Sequence, residues 1–254
     1  NMLKLITFAL ILFASFGCQK EEKIVEKVSY MYEGNVFMPL PLPTPNTVRT
    51  GAGSPGHDYW QQRADHDIKV TLDTQKQFVT ASEVITYPNN SPDTLSEIWL
   101  QLEQNIHRED SVRVRESGSL GQDDFKGIKI TNLKADGIHV DWHDYATLAM
   151  VQLNEPLDPN ESVKLSLDWT FPFPTINGIR MGYDDAYEAG AVWEFAQWFP
   201  TPCVYDDVYG WNNLPYIGRG EFYTNFGDYS VEVTVPRHHI VVASGSLQNP
   251  EEVL

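Results

Sequence analysis

Cysteine and basic residues are both scarce in this chain, and each shortage excludes a class of protein. Only Cys18 and Cys203 occur among 254 residues, so no disulfide framework staples the fold and a hydrophobic core has to hold it. Hydrophobic residues make up 42% of the chain, enough for one large or two small domains. Lys and Arg number 18 against 35 Asp and Glu, a formal charge of −17. A field of that sign repels a phosphate backbone, which excludes nucleic acid as a partner. Repeats of solenoid or propeller length are absent, and so is long helical periodicity outside residues 110–118. Two catalytic signatures are also missing. No His is followed by Glu, which removes His-Glu-x-x-His, and there is no Gly-x-Ser-x-Gly.

The long apolar run nearest to a membrane span is residues 5–16, too short to cross a bilayer as a helix. Lys4 supplies a positive charge before it, and Ser15-Phe16-Gly17-Cys18 follows it. This arrangement resembles a bacterial lipobox, with Ser15 where Leu is usual. The resemblance implies cleavage after Gly17 and lipidation of Cys18, giving a lipoprotein of the bacterial outer membrane, on its cell-surface or periplasmic side. Several acyl chains, at about 0.8 kcal/mol per buried CH₂, suffice to hold such a protein on a membrane. The charged run Gln19-Lys20-Glu21-Glu22-Lys23 begins a tether over residues 19–56. Pro39, Pro41, Pro43 and Pro45 extend it and Gly51, Gly53 and Gly56 loosen it, so no core element is expected there.

Residues 57–254 read as one domain of successive strands. Residues 66–73 alternate, with Ile68, Val70 and Leu72 on one face, and a tight turn at 74–76 leads to an antiparallel partner over 77–87. Further strands are expected at 95–102, 126–132, 138–142, 148–153, 163–171, 191–195, 229–235 and 238–244, punctuated by turn clusters such as Asp158-Pro159-Asn160. The fold class is therefore all-β, a sandwich of mostly antiparallel sheets.

Residues 193–211 obey neither the helical nor the strand period. Their aromatics lie among Gly, Pro and Asp: Trp193-Glu-Phe-Ala-Gln-Trp-Phe-Pro-Thr-Pro-Cys203, then Tyr205-Asp-Asp-Val-Tyr-Gly-Trp211. Such a segment suits a rigid folded loop. In order with Leu95-Ser-Glu-Ile-Trp-Leu-Gln-Leu102, Asn105 and the run Leu157-Asp-Pro-Asn-Glu-Ser162 leading into Val163-Lys-Leu-Ser-Leu-Asp-Trp169, it resembles the N-terminal β domain of aminopeptidase N-type zinc metallopeptidases, the gluzincins. The similarity covers residues 57–254. It implies a saddle-like, non-catalytic domain that packs on the protein's own C-terminal catalytic domain and walls a cleft for peptide substrate. It also implies that a residue of this domain binds the free amine of the peptide. Gln197 is the first candidate and Glu194 the second, in a segment that departs from the family's usual Gln-x-Glu-Ala and Gln-Phe-Glu forms. No catalytic residue, zinc ligand or cofactor is assigned to this chain, whose Asn1 start and Leu254 end are expected to be those of a fragment. Zinc is expected in the missing catalytic domain.

Other chemistry has weaker support in the residues. His139 and His143 stand four apart on expected strand, where that spacing separates them by about 13 Å, too far for one ion. His238-His239 is expected in a turn after Pro236, with residues 240–242 returning to the core. Asp184-Asp185 and Asp206-Asp207 suit turn and cap roles better than calcium. Cys203 suits a packed position among the aromatics. Glu194, Asp206, Asp207 and Glu221 supply carboxylates, but their spacing alone does not make the paired acids of a glycosidase. The rival function is a surface binding module, with Trp193, Trp198, Tyr205, Tyr209 and Trp211 as an aromatic platform for sugar or peptide. The anchor is directly testable: a palmitate analogue fed to cells is expected to label the wild type and not Cys18→Ser, and equal labelling of both rejects the lipobox.

Overall fold

A computed structural model describes residues 44–117, 127–174, 180–188, 190–220 and 222–253. Cys18, the signal segment, most of the tether and Glu221 lie outside them. The strands are β1 (Asp65–Asp73), β2 (Phe78–Pro88), β3 (Leu95–Gln101), β4 (Lys129–Ala135), β5 (Ile138–His139), β6 (Trp142–Asp144), β7 (Leu148–Leu157), β8 (Ser162–Pro172), β9 (Gly182–Asp184), β10 (Val192–Glu194), β11 (Thr201–Pro202), β12 (Tyr205–Asp206), β13 (Gly210–Trp211) and β14 (Tyr229–Thr234). A 3-10 helix, Glu103–His107, follows β3, and helix α1, Val112–Ser117, occupies part of the ambiguous 110–118 segment.

The period of two decides the architecture. Along β1, β2 and β8 alternate residues are buried, and the registers Ile68↔Glu83 and Glu83↔Leu167 bring the three buried rows onto one face. That face covers the apolar rows of β3 and β7, so that Ile68, Ile85, Leu165 and Trp169 join Ile98, Leu100 and Val151 in one core. The result is an all-β sandwich of a six-stranded sheet, ordered β14-β1-β2-β8-β4-β5, and a four-stranded sheet, ordered β11-β3-β7-β6. Two-stranded ribbons, β9–β10 and β12–β13, complete it. Asp73 Oδ1 accepts the Gln75 and Lys76 amides at 3.1 and 3.0 Å, closing the turn between β1 and β2. Pairing is antiparallel except for β14, which runs parallel to β1. Gly227 permits that approach: a Cβ there would lie 1.6 Å from the Ala64 carbonyl oxygen.

Three local expectations are corrected. The single strand expected at 138–142 is two, because the chain leaves β4 in one sheet at β5 and joins β7 in the other at β6, with Val140 buried between them. Residues 238–244 form no strand, and Ile240 and Val242 are 83% and 91% exposed instead of returning to the core. A strand-forming composition yields a strand only beside a partner edge that takes its amides. His238 and His239 do occupy a turn, closed by the His239 amide on the Pro236 carbonyl, with their rings 4.3 Å apart. Residues 44–56, the last part of the expected tether, fold back on themselves through bonds such as Gly56 N–H to the Val48 carbonyl.

Two polar side chains interrupt the apolar face. His66 of β1 and Glu83 of β2 are fully buried, with Nδ1 and Oε1 2.6 Å apart. The His66 ring stacks on Tyr229 of β14 at 4.7 Å and meets the edge of Phe199 at 5.6 Å. Burial pushes the Glu83 carboxyl above its usual range, against the opposing pull of His66. His66 Nε2 has no hydrogen-bond partner among the described residues, so the pair is incompletely satisfied, and the Trp169 indole also bears on the Glu83 carboxyl. Glu83→Leu, which strands the buried imidazole, is expected to cost about 3–5 kcal/mol in denaturant unfolding. The double variant His66→Phe/Glu83→Leu is expected to recover most of that loss. A double variant as unstable as the single one would contradict this account of the pair.

Candidate functional site

Residues 193–211 fold through three short ladders. Trp193 and Glu194 of β10 pair with Tyr183 and Gly182 of β9, Thr201 of β11 pairs with Gln101 at the edge of the four-stranded sheet, and Tyr205 and Asp206 of β12 pair with Trp211 and Gly210 of β13. Between the ladders the aromatics form a continuous chain of rings. Tyr183 stacks on Trp193 at 4.6 Å, Trp193 meets Phe173 at 5.0 Å, and Phe173 meets Phe195 at 4.8 Å. Trp198 then touches Phe195, Phe199 and the fully buried Trp169 at 5.8, 4.9 and 5.7 Å. A second group joins Trp60, Tyr205, Trp211 and Tyr87. Of the five rings considered as a platform, Trp193, Trp198, Tyr205 and Trp211 pack against the core, and Tyr209 alone is largely displayed, at 81% exposure.

Gln197 lies in the middle of the first ring chain. Its φ of 47° is left-handed, a conformation that costs a non-glycine residue roughly 1–2 kcal/mol and persists only where its surroundings impose it. Phe195 and Trp198, edge to face on either side, supply that restraint. The Gln197 Oε1 is buried and has no hydrogen-bond partner among the described residues. The preceding carbonyl, of Ala196, accepts from Gln104 Nε2 at 2.7 Å, so the 3-10 helix after β3 holds this backbone from below. Glu194 sits three residues earlier on the exposed side of β10. The two candidate substrate residues thus share a loop and differ in setting, one turned inward and one exposed.

The 3-10 helix carries Asn105, already part of the motif order, and also Glu103 and Gln104, which the sequence reading passed over. Glu103, Gln104 and Asn105 are all buried; Asn105 donates to the Ala146 carbonyl at 2.9 Å and accepts the Ile128 amide at 2.6 Å. The signal was present as an acid and two amides directly after an alternating strand. Cys203 is fully buried, and burial followed by the nearby Glu103 pushes its thiol far up, away from a nucleophilic thiolate. Asp206 takes the expected cap role, accepting the Val208 and Tyr209 amides and the Asn212 side chain at 3.0, 2.8 and 3.0 Å. Asp184 likewise accepts the Ala186 amide. His139 and His143 are exposed on strands of different sheets. Among the described residues no three His, Cys, Asp or Glu side chains are placed to hold a metal ion, so these residues do not fit a zinc centre.

Burial pushes the Glu103 carboxyl up from 4.5 to about 7. The folded chain therefore binds more protons at Glu103 than the unfolded chain does. Stability from this group is full below the unfolded value and is lost as pH rises through the folded one. Between roughly pH 5 and pH 8 this loss is on the order of 2–3 kcal/mol. Glu103→Gln, which keeps the shape and removes the ionisation, is expected to flatten that slope in denaturant titrations; equal slopes for both proteins would place Glu103 in contact with water.

No family model and no curated protein matches the chain. Among solved structures the chain is similar to an M1 zinc metallopeptidase from Deinococcus radiodurans, at 18% identity over 72% of this chain and 34% of that one, with a TM-score of 0.39. It is also similar to leukotriene A4 hydrolase from Saccharomyces cerevisiae, at 9% identity over 69% of this chain and 24% of that one, with a TM-score of 0.36. The chain spans about a third of the length of the former and about a quarter of the latter. The likeness is one of backbone, over part of each chain.

Proposed function

We propose that this chain is the non-catalytic N-terminal domain of a membrane-anchored zinc aminopeptidase, which removes N-terminal residues from peptides. In this reading residues 193–211 form one wall of the substrate cleft and face the protein's own C-terminal catalytic domain, which carries the zinc. Cys18 carries the lipid that holds the protein at the bacterial outer membrane. No step of zinc chemistry belongs to the residues described here. Their part is to bind and orient the peptide's amino terminus.

Gln197 carries the reading. Its left-handed backbone is imposed by packed aromatics, and a buried amide oxygen without a donor is costly unless something else supplies one. A peptide ammonium is such a donor, and the order of motifs around Gln197 is the one that suggested an amine-binding residue. Glu194, exposed on the same loop, is the second candidate for that contact. The alternative, an aromatic platform for sugar or peptide, has less support, because four of its five rings are partly buried and pack against the core.

In the complete protein, Gln197→Ala is expected to lower kcat/KM with folding and zinc content intact, because a hydrogen bond to a charged group contributes about 1.5–3 kcal/mol. The described chain by itself is expected to hydrolyse no chromogenic aminoacyl amide. An unchanged kcat/KM for Gln197→Ala together with a large loss for Glu194→Ala would move the amine contact to Glu194. No effect from either would leave the domain a structural wall.

A further inference from the structure

Residues 44–59 precede β1 and make a closed loop of their own. Asn46 Oδ1 accepts the Val48 and Arg49 amides at 2.9 and 2.7 Å, Arg49 bridges to Pro55, and the Asp58 amide reaches the Thr47 carbonyl at 3.0 Å. Gly56 passes so close to Thr47 that a Cβ there would lie 2.1 Å from the Thr47 carbonyl oxygen. None of the residues from 44 to 60 is buried, so this loop adds no side chain to the core. It nevertheless grips the sandwich at one charged point. The Arg49 guanidinium forks onto the Asp207 carboxylate, Nε to Oδ2 at 2.5 Å and Nη2 to Oδ1 at 2.8 Å, and lies over the Tyr59 ring at 5.6 Å.

Asp207 belongs to the turn of the β12–β13 hairpin, whose strands are two residues each. A ladder that short does not hold itself. Its outside restraints are the Arg49 fork, the stacking of Trp60 on Tyr205 at 5.8 Å, the Tyr205 hydroxyl on Asp93 at 2.9 Å, the Tyr223 hydroxyl on Asp206 at 3.3 Å and the stacking of Trp211 on the buried Tyr87 at 6.2 Å. The first two come from the segment before β1. We propose that residues 44–59 are a releasable strap, with the Arg49–Asp207 fork as the latch that holds the β12–β13 hairpin against the sandwich. With the latch closed the hairpin is fixed; with it open, residues 205–211 move while both sheets stay folded. The chemistry of the latch suits this role. The Asp207 side chain is only 10% exposed and Arg49 38%, so the pair is shielded enough to matter and open enough for a competing ion to reach. Arg49 holds the Asp207 carboxyl below its usual range, and Asp206, Tyr59 and Tyr223 are the other titratable groups around the fork.

Amide hydrogen exchange on the full chain tests it. Arg49→Gln and Asp207→Asn are each expected to speed exchange at residues 205–212 about fivefold or more while leaving residues 66–72 of β1 and 79–87 of β2 unchanged. The charge swap Arg49→Asp/Asp207→Arg is expected to restore slow exchange in the hairpin. The latch is overturned by unchanged hairpin exchange in both single variants. It is equally overturned if β1 and β2 accelerate in step with the hairpin, which would make the fork part of global stability, or if the swapped pair exchanges as fast as the single variants.

Discussion

An alternating strand buries one face, and the inner face of β1, β2 and β8 has to be covered along its whole length. β2 and β8 pair over eleven residues, from Phe78↔Pro172 to Pro88↔Ser162, and present a row running from Tyr87 to Phe171. β3 and β7 cover part of that row. The aromatic loop covers more, through Trp198 on Trp169 and Phe195 on Phe173. The wide sheet therefore requires the loop, and the loop takes its rigidity from the sheet. Where cover ends, apolar side chains stay in solvent: Val231 and Val233 of β14 are 45% and 39% exposed on the outermost strand.

This dependence explains why the unusual groups collect along one seam. His66 and Glu83 sit on the buried face next to Phe199 and Tyr229, where the loop meets the edge of the sheet. Gln104 reaches from the end of β3 to the backbone beside Gln197, and Glu103 lies buried next to it on the same 3-10 helix. The left-handed Gln197 lies between the packed rings of Phe195 and Trp198, with its amide oxygen buried and without a donor among the described residues. Cys203 is buried and Asp206 is committed to capping.

The strand framework was legible because burial on one face imposes a period of two on the residues themselves: His66, Ile68, Val70 and Leu72 predict β1 before any coordinate does, and the turn at 74–76 predicts its partner. The sequence reading did not single out His66 and Glu83 in that inward row, because their pairing at 2.6 Å depends on the register between β1 and β2. Residues 238–244 had the composition of a strand and formed none, because a strand also needs a neighbour for its amides and composition does not name the neighbour.

The sequence by itself determined the all-β class, the positions of most strands, the acidic field and the break from regular period over the aromatic segment, since each follows from local composition and period. Only the tertiary structure decided which way the rings face, that β14 lies parallel to β1, that β5 and β6 belong to different sheets, that Gln104 supports Gln197 and that Arg49 closes on Asp207. Several of these contacts join residues far apart in the chain: Gln104 and Ala196 are 92 positions apart, and Arg49 and Asp207 are 158. Their energy depends on which surfaces the sheets bring together, and no local pattern of side chains encodes that meeting.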